Sequence, residues 1–154
     1  MMMAADTPIM LMDEVMNGLD VENVALISKC LMEMKQDKLI FVASHLLGNL
    51  DLYADRVLFL KDGKFVHEQK FTDENETFLK VEVTREQYET ILAEQDMPAG
   101  HMFIANYLLC IPIGGISESE QTKWMARMLK YNKEMTIGPL GTVEYYEKYY
   151  AKSV

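Results

Sequence analysis

The sequence predicts an α/β fold over residues 1–70 followed by a smaller α+β extension over residues 71–154, and three patterns predict it. Ile9–Met12 and Lys38–Ala43 are short, continuous apolar runs, each ending in a polar pair, Asp13–Glu14 and Ser44–His45. Runs of that length suit strands buried on both faces, as in a parallel sheet. Between them Val24, Ile27, Leu31 and Met34 recur at helical spacing, which predicts a crossover helix with one apolar stripe on the sheet. From about Phe71 the pattern changes to an alternating segment, two helices opened by capping boxes and a chain broken by Gly138, Pro139 and Gly141.

Taken in order, Asp6, Thr7 and Pro8 read as a turn, and the first strand then delivers Asp13 and Glu14 to its carboxyl end. Asp20 is placed to cap the crossover helix, because a short side-chain oxygen can accept from the free amides of the first turn. The second strand delivers Ser44 and His45 to the same edge, the edge at which open α/β sheets bind ligands. A short helical stretch follows from Leu46 to Tyr53, and Arg56–Leu60 and Lys64–His67 flank Asp62–Gly63, a hairpin signal that predicts a mixed sheet at that edge.

In the extension, Glu76–Val83 alternates, with Leu79, Val81 and Val83 on one side and Phe78, Lys80 and Glu82 on the other. Thr84 with Gln87 opens a helix to about Glu94 whose apolar face is Tyr88, Ile91 and Leu92. Met102–Ile113 reads as one or two strands. Ser117 with Glu120 opens a helix bearing Trp124, Met125, Met128 and Leu129 and ending near Met135, and Thr142 is expected to cap a last helix whose Tyr145, Tyr146, Tyr149 and Tyr150 form a packing face.

Composition narrows the function classes. The 154 residues are 49% hydrophobic, enough for a packed core, and carry a net charge of −9, which repels a phosphate backbone and disfavours nucleic-acid binding. Glu68–Asp96 holds nine acidic and three basic residues, a solvated acidic surface. Cys30 and Cys110 stand far apart among apolar residues and read as reduced, buried thiols. The most apolar stretch, Met102–Ile113, has 12 residues, whereas a membrane-spanning helix needs about 20. Met1–Ala5 lacks the basic start and long apolar run of a signal peptide, so a cytoplasmic location is expected. His67 and His101 have no spaced Cys or His partners, and the thirteen methionines read as adaptable packing.

Adjacent carboxylates at the end of a buried strand suit nucleotide chemistry, because one can hold a hydrated magnesium ion while its neighbour polarises water. They equally suit a strand that simply leaves the core. Asn17–Asp20 follow the acids at short range, and His45 ends the next strand 25 residues after Asp20. With these residues the sequence resembles the ABC transporter ATPase family over about its first 68 residues. Ile9–Glu14 looks like the Walker B strand with its catalytic glutamate, Asn17–Asp20 like the D-loop, Ser44–His45 like the switch histidine, and Leu52–Val66 like the closing strand and hairpin.

The resemblance implies a partial P-loop NTPase sheet. It implies that Asp13 helps hold Mg2+, that Glu14 orients or deprotonates the water attacking the γ-phosphate of ATP, that Asp20 acts across a dimer interface, and that His45 senses the γ-phosphate and helps fix that water. It further implies a second ATPase subunit and a membrane-spanning transporter subunit as partners, with the intact protein peripheral at the inner face of the cell membrane. Val15 stands where the family usually has a proline, which removes a fixed φ from the bend. The extension resembles, by element order, the small α+β extensions of many ABC exporters.

The sequence contains no G-x-x-x-x-G-K-[ST] segment, and Gly114–Gly115 do not supply one. Met1–Ala5 resembles the end of the helix after the LSGGQ-like signature, so the chain reads as a fragment beginning inside an ATPase domain. Positioning of the phosphates supplies most of the rate in phosphoryl transfer, so this chain alone is expected neither to bind ATP tightly nor to hydrolyse it. An open sheet invites pairing with another copy, and the alternative reading is a non-catalytic, self-associating or regulatory module. Calorimetry with ATP and magnesium, with light scattering on the same sample, checks both expectations: no micromolar binding, and a species larger than a monomer.

Overall fold

The computed structural model describes residues 7–71 and 76–151, so the resemblance drawn for Met1–Ala5 lies outside the described residues. The chain forms two compact units, Met1–Val57 and Leu58–Val154.

In the first unit, β1 (Ile9–Asp13) and β2 (Leu39–Ala43) pair in parallel, with Ile9 opposite Leu39 and Asp13 opposite Ala43. Parallel neighbours cannot be joined by a tight turn, and α1 (Val21–Met34) makes the crossover. As the sequence predicts, Asp20 caps α1, its Oδ1 accepting from the Asn23 amide at 2.9 Å. Val24, Ile27 and Leu31 of α1 join a core built on Met16, Leu31, Leu50 and Tyr53, with Met12, Ile40 and Val42 of the sheet packed against it. The predicted helical stretch is a 3-10 segment, Leu47–Leu52, which contributes Leu50 to that core.

Two expectations are corrected here. The strands are buried on one face only: Met10 is buried, while Ile9, Leu11, Leu39 and Phe41 on the opposite face are exposed, Leu11 by 79%. The continuous apolar runs thus mark strands suited to two covering layers, of which α1 and the 3-10 segment supply one. The mixed sheet is also not formed. Among the described residues β3 (Arg56–Lys61) and β4 (Lys64–Lys70) make their own two-stranded sheet. Asp62 (φ 51) and Gly63 (φ 73) both take left-handed backbone, as a two-residue I′ turn requires.

The second unit contains a four-stranded antiparallel sheet in the order β6 (Met102–Ile104), β7 (Leu108–Pro112), β5 (Phe78–Glu82), β8 (Met135–Gly138). The alternation of β5 sorts its side chains. Leu79 and Val81 face a core with Ile91 of α2 (Arg85–Glu94) and Trp124 and Met128 of α3 (Glu118–Met128). Phe78 joins a second core with Ile104, Cys110 and Leu140, against which Tyr145 of α4 (Thr142–Tyr150) packs. Both predicted capping boxes form: Thr84 Oγ1 accepts from the Gln87 amide and Ser117 Oγ from the Glu120 amide, each glutamine or glutamate side chain reaching back to the cap. Cys110 is fully buried, and its thiol pKa is pushed up to about 12, chiefly by burial; Cys30 is only half-buried.

Tertiary packing overrides several helical expectations. Leu92 and Leu129, assigned to apolar faces, are exposed. The third helix stops at Met128, and Met135–Gly138 is a strand rather than its end, because β5 offers a free edge that this segment fills. Thr142 does not cap α4. Gly141 is the cap residue, and Thr142 is fully buried with its Oγ1 donating to Gln69 Oε1 at 3.3 Å, while Gln69 Nε2 donates to the Leu140 carbonyl at 3.1 Å. The tyrosines of α4 do form a packing face on the hairpin, with Tyr145, Tyr149 and Tyr150 around Phe59 and Tyr146 stacked on Tyr150.

The neighbours Ile91 and Leu92 give a direct check of this burial pattern. Ile91→Ala is expected to cost about 2–5 kcal/mol by urea unfolding, as for a filled core site, and Leu92→Ala less than about 0.5 kcal/mol.

Candidate functional site

The parallel register of β1 and β2 brings the two polar pairs to one edge. Asp13 is the last residue of β1, and its neighbour turns sharply: Glu14 takes φ 49, and its amide donates to the Ala43 carbonyl at 2.9 Å, prolonging the ladder by one bond. A left-handed conformation costs a non-glycine residue about 1–2 kcal/mol. It is held here from both sides. The Asn17 amide closes a turn onto the Glu14 carbonyl at 3.0 Å, and Met16, 1% exposed, anchors the loop in the core. Val15 packs against the same core.

At the end of β2, Ser44 Oγ accepts from the Leu46 amide at 3.0 Å and shapes the turn that carries His45. His45 Nδ1 lies 2.7 Å from Glu14 Oε2, with the imidazole 64% and the Glu14 side chain 35% exposed. Of the four predicted site residues, the structure therefore brings Glu14 and His45 into contact and leaves Asp13 exposed beside them. Asp20 is separated from them by the Asn17–Leu19 loop, in which Gly18 takes φ 74, and its Oδ1 is engaged in the α1 cap. A shallow depression lined by Asn17, Gly18, Leu19 and Leu46 opens beside this loop.

A magnesium ion typically takes one or two protein carboxylates and completes its shell with water and phosphate oxygens. The exposed Asp13 carboxylate fits that role. Among the described residues no three His, Cys, Asp or Glu side chains gather into an all-protein cage, which such an ion does not require. Sequence reasoning missed the left-handed Glu14 and its bond to Ala43. No local signal marks them, since glutamate has no special tolerance for positive φ.

Over about half its length this chain is similar to ABC transporter ATP-binding proteins. An uncharacterised ABC transporter ATP-binding protein of Methanocaldococcus jannaschii is 35% identical over 99 residues, 56% of this chain and 38% of that protein. The ABC transporter ATP-binding protein YhcH of Bacillus subtilis is 33% identical over 72 residues, 46% of this chain and 24% of its own length. The beta-(1→2)glucan export ATP-binding/permease protein NdvA of Rhizobium johnstonii is 35% identical over 68 residues, 44% of this chain and 11% of its own. The chain thus spans well under half the length of these relatives. No family model matches it.

The double use of Asp20 yields a test that needs no ligand. Asp20→Ala removes the α1 cap and is expected to lower stability by about 1 kcal/mol, read as a shift of the urea midpoint, whereas Asp20→Asn or Asp20→Ser keeps the cap and most of that stability.

Proposed function

We propose that this chain is the C-terminal part of the ATP-binding subunit of an ABC transporter, and that its Asp13–Glu14 and His45 edge serves ATP hydrolysis in the complete protein. The observation that carries the reading is the Glu14–His45 contact at 2.7 Å, formed at the carboxyl ends of two parallel strands in a chain related to ATP-binding proteins. In this reading the sheet of the first unit is part of a P-loop NTPase sheet, with its exposed Ile9, Leu11, Leu39 and Phe41 face the side that further elements of the ATPase cover.

The roles rest on the family resemblance, and the geometry supports them. Asp13, exposed at the strand end, is the carboxylate for Mg2+, which when bound supplies charge neutralisation at the phosphates. Glu14 is the base: its carboxylate stays partly open to solvent, where an attacking water can reach it, while Oε2 lies against His45 Nδ1 without a hydrogen bond of good geometry. His45 faces Glu14 through Nδ1, which leaves Nε2 as the ring nitrogen to meet a phosphate oxygen. Asp20, set by its capping bond at the start of α1, belongs to the contact with a second ATPase subunit. The membrane-spanning partner is inferred from the resemblance and from the permease in the name of the Rhizobium johnstonii relative. Residues 71–154 form an accessory extension of the ATPase.

Glu14→Gln in the complete ATPase is expected to lower kcat by at least about 100-fold, the usual weight of a general base, while ATP binding persists. Hydrolysis at the original rate would remove Glu14 from the base role.

A further inference from the structure

His67 on β4 occupies a position that the ATPase reading does not use. Its imidazole is stacked with two rings of α4, Tyr145 at 4.4 Å and 28° and Tyr149 at 5.0 Å and 27°, with Phe59 of β3 at 5.8 Å. Nδ1 lies 3.3 Å from the Tyr149 hydroxyl. Nε2 is buried with no hydrogen-bond partner among the described residues. A neutral ring that donates Nδ1–H to the Tyr149 oxygen leaves Nε2 as a bare lone pair, which is tolerable. Adding a proton there buries a charged N–H that has no acceptor, and that is costly.

The charges around the ring act in both directions. From α4, Lys148 lies over Tyr145 and Tyr149 at 6.0 and 5.5 Å and opposes a second cation; Glu68 on β4 and Glu76 ahead of β5 favour one. Three charged groups of α4 and the hairpin are engaged elsewhere: Glu144 with Lys80 at 2.7 Å, Glu147 with the Tyr107 hydroxyl at 2.6 Å, and Lys61 with the Tyr149 carbonyl at 2.9 Å. Burial first and Lys148 second hold the His67 pKa below its ordinary 6.5.

We propose that His67 is a proton-sensitive latch, whose protonation loosens α4 from the β3–β4 hairpin while the four-stranded sheet with α2 and α3 stays folded. The neutral ring is the form that fits the docked helix, so the His67 contribution to docking is complete above about pH 6.5 and is lost as pH falls from there through the lower docked value. In that interval the opening constant of α4 rises up to about tenfold per pH unit.

The test follows the 154-residue chain from pH 8 to 5 by three signals: the His67 ring resonances, amide-exchange protection factors over Thr142–Tyr150, and Trp124 fluorescence, which reports the α3 face of the sheet. The latch requires a His67 midpoint below 6.5, α4 protection falling with the same proton uptake, and Trp124 unchanged. His67→Phe keeps an aromatic ring in the stack and is expected to hold α4 protection flat across the range. Lys148→Gln removes the opposing cation and is expected to raise the His67 midpoint toward 6.5 and, by the same linkage, to shrink the loss of α4 protection at low pH, and it decides the matter if His67→Phe does not fold. A His67 midpoint at or above 6.5, α4 protection indifferent to His67 titration, loss of protection in His67→Phe at the wild-type pH, Trp124 moving with the same midpoint, or an unshifted Lys148→Gln each overturns the proposal.

Discussion

Parallel pairing of β1 with β2 is the constraint from which the first unit follows. Parallel neighbours need a crossover of a dozen or more residues, and α1 with its flanking loops supplies it. The crossover sets two things at once. It lays the Val24, Ile27 and Leu31 stripe on the inner face of the sheet, and it puts both carboxyl ends on one edge, so that Glu14 and His45, 31 positions apart in sequence, stand 2.7 Å apart. Stability and candidate chemistry draw on the same register. A slip of one residue would turn Met10 outward and Leu11 inward and would separate the pair.

Between the strand and the helix, the Glu14–Asp20 segment is shaped by backbone strain and its relief. Glu14 and Gly18 both take left-handed conformations, and these persist because the Ala43 carbonyl, the Met16 anchor and the Asp20 cap determine the path from three sides. The acids are thereby presented on a rigid turn rather than a loose loop.

The second unit is organised around β5, which is flanked by β7 and β8 in the sheet and contributes to a core on each face. Leu79 and Val81 hold the α2–α3 side; Phe78 and the stem of Lys80 hold the α4 side, where the Lys80–Glu144 ion pair is largely shielded. Helix α4 gathers the hairpin and the sheet together, through the aromatic stack around His67 and Phe59 on one side and the Tyr107–Glu147 hydrogen bond on the other. The buried Gln69–Thr142–Leu140 bonds fix where the helix begins.

Local chemistry made much of this legible in advance. The caps at Asp20, Thr84 and Ser117, the Asp62–Gly63 turn, the α1 stripe and the crossover all depend on neighbours within a few residues, and their signals survive in sequence. What the tertiary structure alone decided depends on partners distant in the chain. Met135–Gly138 became a strand because β5 had an unfilled edge; Thr142 turned inward because Gln69 was there to accept its hydroxyl; Leu92 and Leu129 fell outside the cores; and the apolar runs of β1 and β2 kept one face open because only one layer packs on them. The family resemblance could name Glu14 and His45 from their spacing. Only the fold could set the distance between them, because a pairing register is a property of two strands and not of either one.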